Sequence, residues 1–280
     1  MAPMRLPAEP GLDELGDGIG AAATVLRANA GAAGLDAPVP TCPGWTVRDL
    51  VAHVGVVHRY ATRVVSGGRP DVTEAPAAAD DDLLGWFDDG ATALLQALAD
   101  APDDLDAPVF LENAPAPRRY WVRRQCHETS VHAVDALAAR LGRAPRPEET
   151  WLRPALALDG VDELLRGFVP RPTSTTVQVP RPTTVLVRPI AAAPSRDDQT
   201  GRTPVRWVVR ARQDAPTDVE VQTADDAAWC EDVVADHVLE APAVELYLRL
   251  WGRATPVGAD AADGPDGAAR WWTEHVEVRP

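Results

Sequence analysis

The spacing of apolar residues changes part-way along the chain, and this change most constrains the fold. In the first half, apolar residues recur every three to four positions, as they do in helices with one buried face. In the second half, they alternate or cluster in segments rich in Arg, Thr and Pro, which is typical of strands. A chain of 280 residues with such a change is expected to form about two domains. We place the boundary at residue 145, with a helical domain over 1–145 and an α+β domain over 146–280.

Four helices are predicted in the first domain. Their expected ranges are about 12–26, 46–65, 81–98 and 118–141. The start of the second helix is marked by Thr46 and Asp49, which have the spacing of a capping box. Four helices joined by loops favour a bundle.

The second domain is expected to begin with a fifth helix and to continue mainly as strands. The helices are predicted at about 154–168 and 243–253, and the strands around 177–179, 185–187, 207–209 and 218–223. Two stretches rich in small and polar residues, 190–203 and 255–267, are predicted to be a turn-rich insertion and a loose tail. The roles of both stretches are left open.

Charge and apolar runs limit the possible partners and location. The chain has 27 basic residues, all of them Arg, and 42 acidic residues, for a formal net charge of −15. Such an acidic surface repels phosphate backbones, so no nucleic-acid partner is expected. No run of about 18 apolar residues is present, and residues 1–10 do not have the pattern of a secretory signal. Cys42, Cys126 and Cys230 are too widely spaced for a disulfide framework, so we expect a reduced, cytoplasmic protein without membrane contact.

The fourth predicted helix carries a group of residues with the spacing of metal ligands. Glu128 and His132 are four positions apart and therefore lie on one helical face, about a turn from each other. Asp135 lies a further turn along this face, where its carboxylate is expected to orient His132 through the second ring nitrogen. Arg124 lies one turn earlier on the same face. This spacing allows a carboxylate and an imidazole to bind one metal ion.

A third ligand is expected from another helix. His53 lies on or beside the apolar face of the second helix, and together with Glu128 and His132 it gives two imidazoles and one carboxylate. Such a set leaves a coordination position open for water or substrate. A metalloprotease motif is excluded, because the residue four positions after His127 is Val131. Spacing alone also fits a core histidine at His53 and an ordinary ion pair between Glu128 and His132.

The segments that carry these residues resemble those of a known enzyme family. Cys42-Pro43-Gly44-Trp45-Thr46-Val47-Arg48-Asp49-Leu50-Val51-Ala52-His53-Val54 is similar to the first motif of the mycothiol-dependent maleylpyruvate isomerase family. The stretch from Arg123-Arg124 through Glu128 and His132 to Asp135-Ala136 resembles its second motif. Asp159–Leu165 and Leu250–Arg253 resemble further segments more loosely.

The resemblance implies a fold and a cofactor. The N-terminal domain is expected to be a DinB-like four-helix bundle, followed by a small α/β domain of the sterol-carrier-protein kind. The bundle of this family holds a divalent metal ion, usually zinc, and the matching ligands here are His53, Glu128 and His132. Members use mycothiol, the low-molecular-weight thiol of actinobacteria, as cosubstrate. The Ala-rich, lysine-free composition is consistent with such a source.

The implied activity is a reaction of a thiol with an electrophilic small molecule. A free thiol is mostly protonated at neutral pH, and coordination to a divalent ion deprotonates it. The metal-bound thiolate is then expected to attack an electrophilic carbon, either as a thiol S-transferase or as a maleylpyruvate-type cis–trans isomerase. Arg124 and Arg253 are the candidate catalytic residues, as anchors for substrate carboxylates. Both arginines also fit ordinary roles, in an ion pair and at a helix C-terminus.

Two other functions are compatible with the same residues. One is a non-catalytic metal-binding or regulatory bundle that has kept the ligands and lost turnover. The other is a metal-dependent hydrolase in which Asp135 or a metal-bound hydroxide serves as the base. Dependence of the activity on added thiol separates the mycothiol-dependent enzyme from the metal-dependent hydrolase.

Overall fold

The structure is a computed structural model that describes residues 9–68, 82–173, 175–190, 205–213, 215–223, 232–254 and 265–278. The chain forms two compact units. The helical unit consists of Gly11–Phe110 and Ala114–Thr150, and the mixed unit consists of Met1–Pro10, Leu111–Asn113 and Trp151–Pro280.

The helical unit contains the four predicted helices. They are α1 (Leu12–Ala33), α2 (Val47–Val65), α3 (Leu83–Asp100) and α4 (Pro117–Leu141), and a short 3-10 turn (Pro147–Glu149) follows. Each of the four helices contacts the other three, so the unit is a four-helix bundle. Asp81, the predicted start of the third helix, lies outside the described residues.

Local sequence explains why α2 begins where it does. The side chain of Thr46 accepts a hydrogen bond from the backbone N–H of Asp49, and the Asp49 carboxylate accepts one from the backbone N–H of Thr46. This confirms the predicted capping box. Leu50, Val54 and Ala61 are fully buried along one face of the helix. The cap and this apolar face fix the position of α2, which carries His53.

The mixed unit confirms the predicted change to a sheet-containing region. Its elements are α5 (Pro154–Asp162), a π-helical turn (Glu163–Phe168), β1 (Thr175–Val177), β2 (Thr183–Ile190), β3 (Val205–Arg212), β4 (Ala215–Thr223), β5 (His237–Pro242), α6 (Ala243–Leu250), α7 (Pro265–His275) and β6 (Val276–Val278). Four strands form one sheet in the order β4-β3-β2-β5, in which β2 and β5 are parallel and the other pairs are antiparallel. A separate antiparallel pair joins β1 and β6.

Several boundaries in this unit differ from the predictions. Strands β5 and β6 were not predicted, and Val179 lies beyond the end of β1. The predicted loose tail is wrong for residues 265–267, which begin α7. The buried Trp272 of this helix donates its indole N–H to the carbonyl of Leu250 at 3.1 Å, a tertiary contact that supports a helix with few apolar residues. The insertion lies outside the described residues from 191 onward.

Among the described residues, no helix is both long and apolar enough to cross a membrane.

Candidate metal site

A tight turn positions the residues directly before α2. The backbone N–H of Trp45 donates to the carbonyl of Cys42 at 3.0 Å, which closes a four-residue turn with Pro43 and Gly44 at its centre. Gly44 has a φ of +88°, a conformation that side chains with a Cβ rarely adopt. Pro followed by Gly is the sequence preferred for this turn type. The turn brings both Cys42 and Trp45 to the end of the bundle that holds the predicted ligands.

The three predicted ligands meet in the helical unit. His53 Nε2 lies 3.3 Å from Glu128 Oε1, and His132 Nε2 lies 3.4 Å from the same oxygen. One ligand atom from each of the three residues lies within 4.8 Å of the others. Ligands bound to zinc at about 2.0–2.2 Å in a tetrahedron are about 3.3–3.6 Å apart. The donor set and these separations therefore fit a divalent cation.

Asp135 holds the opposite edge of the His132 ring. Its Oδ2 accepts a hydrogen bond from His132 Nδ1 at 2.9 Å, an arrangement that leaves Nε2 to face Glu128. The Asp135 side chain is fully buried, and it also accepts hydrogen bonds from Thr41 Oγ1 at 2.6 Å and from Cys42 Sγ at 3.2 Å. A carboxylate with several donors in a buried position is rigid. His132 is thus held in a single ring orientation.

Arg124 engages the second oxygen of Glu128. Its Nη2 donates to Glu128 Oε2 at 2.9 Å, and the arginine side chain is only 4% exposed. This ion pair fixes the carboxylate so that Oε1 faces the two histidines. Exposure rises across the site, from 3% at His132 through 14% at Glu128 to 29% at His53. His53 is therefore the most exposed of the three predicted ligands.

The charges of the two carboxylates control the protonation of His132. Burial alone would lower the pKa of this histidine, but the hydrogen bonds with Asp135 and Glu128 outweigh burial and raise the pKa to about 9. Burial likewise opposes the charged form of Glu128, yet hydrogen bonds from His132 and His53 and the charge of Arg124 hold its pKa well below the usual range. In the chain without a metal ion, a proton on His132 balances the surrounding negative charge. The site is thus built to hold positive charge.

Trp45 borders the site, although the sequence suggested only that it packs the turn. Its ring centroid lies 5.1 Å from that of His53 and 6.0 Å from that of His132, and it stacks on the latter ring. An indole in this position shields one side of the ligand group from water. Cys42 and Thr41 were also missed as partners of the site. The Pro-Gly turn before α2 was the available signal, but spacing did not show which helix the turn faces.

Within the described part of the chain, no other candidate residue belongs to the ligand group of His53, Glu128 and His132. Cys126 is fully buried in α4, which agrees with its interpretation as a small apolar residue. His58 faces a different part of the bundle, where its Nε2 lies 2.9 Å from Thr129 Oγ1. Arg253 belongs to the mixed unit, where its Nη1 donates to the carbonyl of Trp251 at 2.7 Å, and its catalytic role stays a prediction. Cys230 lies outside the described residues.

Comparison with protein families identifies the helical part of the chain. Residues 17–137 match the family described as mycothiol maleylpyruvate isomerase N-terminal domain. Over these residues the chain is similar to that family. The match spans His53, Glu128, His132 and Asp135, and it confirms the resemblance seen in the motifs. Comparison with curated proteins and with solved structures gave no match.

The family relates this domain to mycothiol and to an isomerase. The matched range ends within α4 and includes all of the residues that surround the candidate metal site. The mixed unit, which begins after Thr150 apart from two short segments, lies almost entirely outside the match.

Proposed function

We propose that this chain is a metal- and mycothiol-dependent enzyme, either a thiol S-transferase or a maleylpyruvate-type cis–trans isomerase. The observation that carries the proposal is the approach of His53 Nε2 and His132 Nε2 to Glu128 Oε1, at 3.3 and 3.4 Å, within a domain of this family. We further propose that the bundle is DinB-like and that the mixed unit is the sterol-carrier-like domain found with it. Zinc is the proposed ion, and the cytoplasm of an actinobacterium is the proposed setting.

His53, Glu128 and His132 would hold the cation, and other residues of the chain orient them. When bound, a divalent ion stabilises the thiolate form of a coordinated thiol, so that the nucleophile is available at neutral pH. Asp135 keeps the proton of neutral His132 on Nδ1, which leaves the lone pair of Nε2 facing Glu128. Arg124 positions Glu128 by binding Oε2, and this contact supports a positioning role for Arg124 rather than the predicted role as a substrate anchor.

The proposed reaction adds the sulfur of mycothiol to an electrophilic carbon. In the isomerase, the new carbon–sulfur bond converts a double bond into a single bond, the chain rotates about it, and elimination of the thiolate restores the double bond in the trans form. In the transferase, the sulfur replaces a leaving group or adds to the electrophile, and the thioether is released. Trp45 and the buried Arg124 exclude water from the inner side of the site, whereas the half-buried His53 marks the open side.

The first experiment measures metal content and thiol-dependent turnover together. The chain is purified without a metal-affinity tag, its metals are determined by elemental analysis, and activity on maleylpyruvate and on a model electrophile is measured with and without mycothiol. We expect about one divalent ion per chain and turnover only when mycothiol is present. Activity that does not need the thiol would favour the hydrolase, and stoichiometric metal without turnover would favour the non-catalytic bundle.

A matched pair of variants tests whether the bound metal and the activity both depend on the candidate site. Glu128→Gln removes the charge of one proposed ligand, and Glu112→Gln makes the same chemical change at an exposed position. We expect the first variant to lose bound metal and activity while it keeps its helical circular dichroism. The second is expected to keep both. Full metal content in Glu128→Gln would overturn the assignment of the ligands.

A further inference from the structure

A second group of metal-ligating atoms lies at the other edge of the His132 ring. It consists of Cys42, Asp135 and His132, whose ligand atoms all lie within 4.8 Å of one another. Cys42 Sγ lies 3.2 Å from Asp135 Oδ2, and His132 Nδ1 lies 2.9 Å from the same oxygen. Within the described ranges, this group and the His53 group are the two in which three such atoms converge. His132 is the residue they share.

We propose that Cys42, Asp135 and His132 Nδ1 form a second binding site for a thiophilic divalent cation, and that this site competes with the His53 site for His132. The sulfur donor distinguishes the two ligand sets. The His53 site has two imidazoles and a carboxylate, whereas the second site adds a thiol, and thiolates select soft cations.

Competition follows from the chemistry of imidazole. A neutral ring has one nitrogen with a lone pair and one nitrogen that carries the proton. His132 therefore binds a cation either through Nε2, with the proton on Nδ1 toward Asp135, or through Nδ1, with the proton on Nε2. In the second case Glu128 Oε1, 3.4 Å away, accepts a hydrogen bond from the Nε2 proton. Cation binding at Cys42 then releases the thiol proton to solvent and moves the ring proton from one nitrogen to the other.

The turn that carries Cys42 gives the second site room to adjust. Bonds of about 2.0–2.3 Å place the ligands of a tetrahedral ion about 3.3–3.7 Å apart, so the present separations must widen by about 0.4–0.5 Å. Cys42 is half-buried, and Pro43 and Gly44 beside it are exposed. Thr41 keeps its hydrogen bond to Asp135 Oδ1, the oxygen that does not face Cys42. Movement of the Cys42 side chain can widen its separation from Asp135 Oδ2, whereas the separation between His132 Nδ1 and Asp135 Oδ2 widens by rotation of these two side chains on α4.

Cadmium alone is the probe, because a cadmium–thiolate bond absorbs in the ultraviolet. We expect this absorption to appear when Cd²⁺ is titrated into the metal-free chain and to be lost in Cys42→Ser. Serine still supplies a hydroxyl donor for Asp135, so the variant removes the sulfur with little change to the packing. Cys126→Ala and Cys230→Ser are the matched controls, and each is expected to keep the absorption. Wild-type protein without the absorption, or Cys42→Ser with it, would overturn the proposal.

His53→Ala separates the two sites. It removes a ligand of the His53 site and leaves the second set intact, so this variant is expected to keep the cadmium absorption. Loss of the absorption in His53→Ala would show that His53 and Cys42 bind the same cation, and it would overturn the proposal of two separate sites.

Competition is tested on the zinc-loaded chain. As Cd²⁺ is added and free ions are removed, the total of zinc and cadmium is expected to stay at about one ion per chain while the thiolate absorption rises. Two ions bound at once would overturn the competition for His132. None of these measurements uses turnover, so their failure is distinguishable from failure of the proposed mycothiol-dependent activity.

Discussion

Helices α1 and α4 pack against each other in the bundle, yet they bury different kinds of side chain. The buried face of α1 is almost entirely apolar, with Leu15, Ile19 and Leu26 fully buried. On α4 the buried residues include Arg124, Gln125, His127, Thr129, Ser130, His132 and Asp135. The one buried polar side chain of α1, Asn29, donates to the carbonyl of Val25 at 2.8 Å and so uses its amide within its own helix.

The comparison shows that different helices of one bundle supply stability and hold the polar residues of the candidate metal site. A buried charge costs several kcal/mol unless a partner of opposite charge and further hydrogen bonds compensate it. On α4 this compensation comes from a connected group, in which Arg124 pairs with Glu128 and Asp135 pairs with His132. Such a group gives little net stability, but it fixes the positions of the proposed ligand atoms. The apolar face of α1 supplies stability and carries none of the proposed ligands.

The largest expected effect on stability comes from the apolar helix. Leu26→Ala leaves a cavity in a fully buried position, and we expect it to lower the free energy of unfolding by about 2–5 kcal/mol. The zinc affinity of the folded chain is expected to be unchanged, because none of the proposed ligands lies on α1. Urea denaturation measures the first quantity and a zinc titration the second. A clear fall in zinc affinity would show that α1 and the site are coupled and would weaken the division between the two helices.

The next prediction concerns α4, where a substitution is expected to lower zinc affinity. Asp135→Asn keeps the size of the side chain but removes the charge that orients His132. Loss of such a supporting partner typically lowers metal affinity by about 10–100-fold. We expect this loss in a zinc titration with a chromophoric chelator, a measurement in which Leu26→Ala is expected to match the wild type.

Asp162→Asn is a suitable control for Asp135→Asn. Asp162 is also buried and accepts a hydrogen bond, here from the indole of Trp207 at 3.0 Å, but it belongs to the mixed unit. We expect this control to leave zinc affinity unchanged. Equal affinity in Asp135→Asn and the wild type would show that Asp135 does not orient a ligand.

Spacing was sufficient to predict the contacts that lie within one helix. Glu128 and His132 face each other because they are four residues apart, and Asp135 reaches His132 because it is three residues further. His53 was predicted less directly, from the apolar face of α2. The contacts of Thr41 and Cys42 with Asp135 were not predicted, because they join residues 94 and 93 positions apart and depend on how the turn before α2 folds back.

The mixed unit shows the same limit in its backbone. Strand β5 pairs in parallel with β2, about 50 residues earlier in the chain. Its sequence, His-Val-Leu-Glu-Ala-Pro, has too few apolar positions to indicate a strand by alternation. Strand β6 has three residues, and it pairs with β1, about 100 residues earlier in the chain. In both cases the partner strand, rather than the local sequence, determines the structure.

A third effect is the pH dependence of stability that results from a buried histidine on α2. His58 of α2 is fully buried, and burial lowers its pKa to about 3 despite the opposing charge of Glu128; Arg59, His132 and His53 lower it further. The folded chain therefore keeps His58 neutral at pH values where the unfolded chain, with a pKa near 6.5, binds a proton. Stability from this residue is complete above pH 6.5 and falls by up to about 1.4 kcal/mol per pH unit below it.

His58→Gln tests the direction of this pH dependence, since glutamine does not titrate in the same range. We compare urea denaturation of wild type and variant, both metal-free, at pH 7.5 and pH 5.5. The wild type is expected to lose about 1 kcal/mol more than the variant on acidification. A larger loss in the variant would show that His58 is protonated in the folded chain.

The smallest effect is expected at the start of α2 and asks how much of the site depends on local structure. Thr46→Ala removes the side chain that caps the helix, and loss of such a cap costs about 1 kcal/mol of stability. Thr92→Ala on α3 is the matched control: its hydroxyl bonds back to the carbonyl of Asp88 within the helix, so its removal is expected to be neutral or slightly stabilising. Zinc affinity is expected to stay at the wild-type value in both variants, because His53 lies about two turns beyond the cap. If Thr46→Ala lowered zinc affinity, the turn that joins Cys42 and Trp45 to α2 would help to position His53. The start of α2 would then contribute both to stability and to the geometry of the candidate metal site.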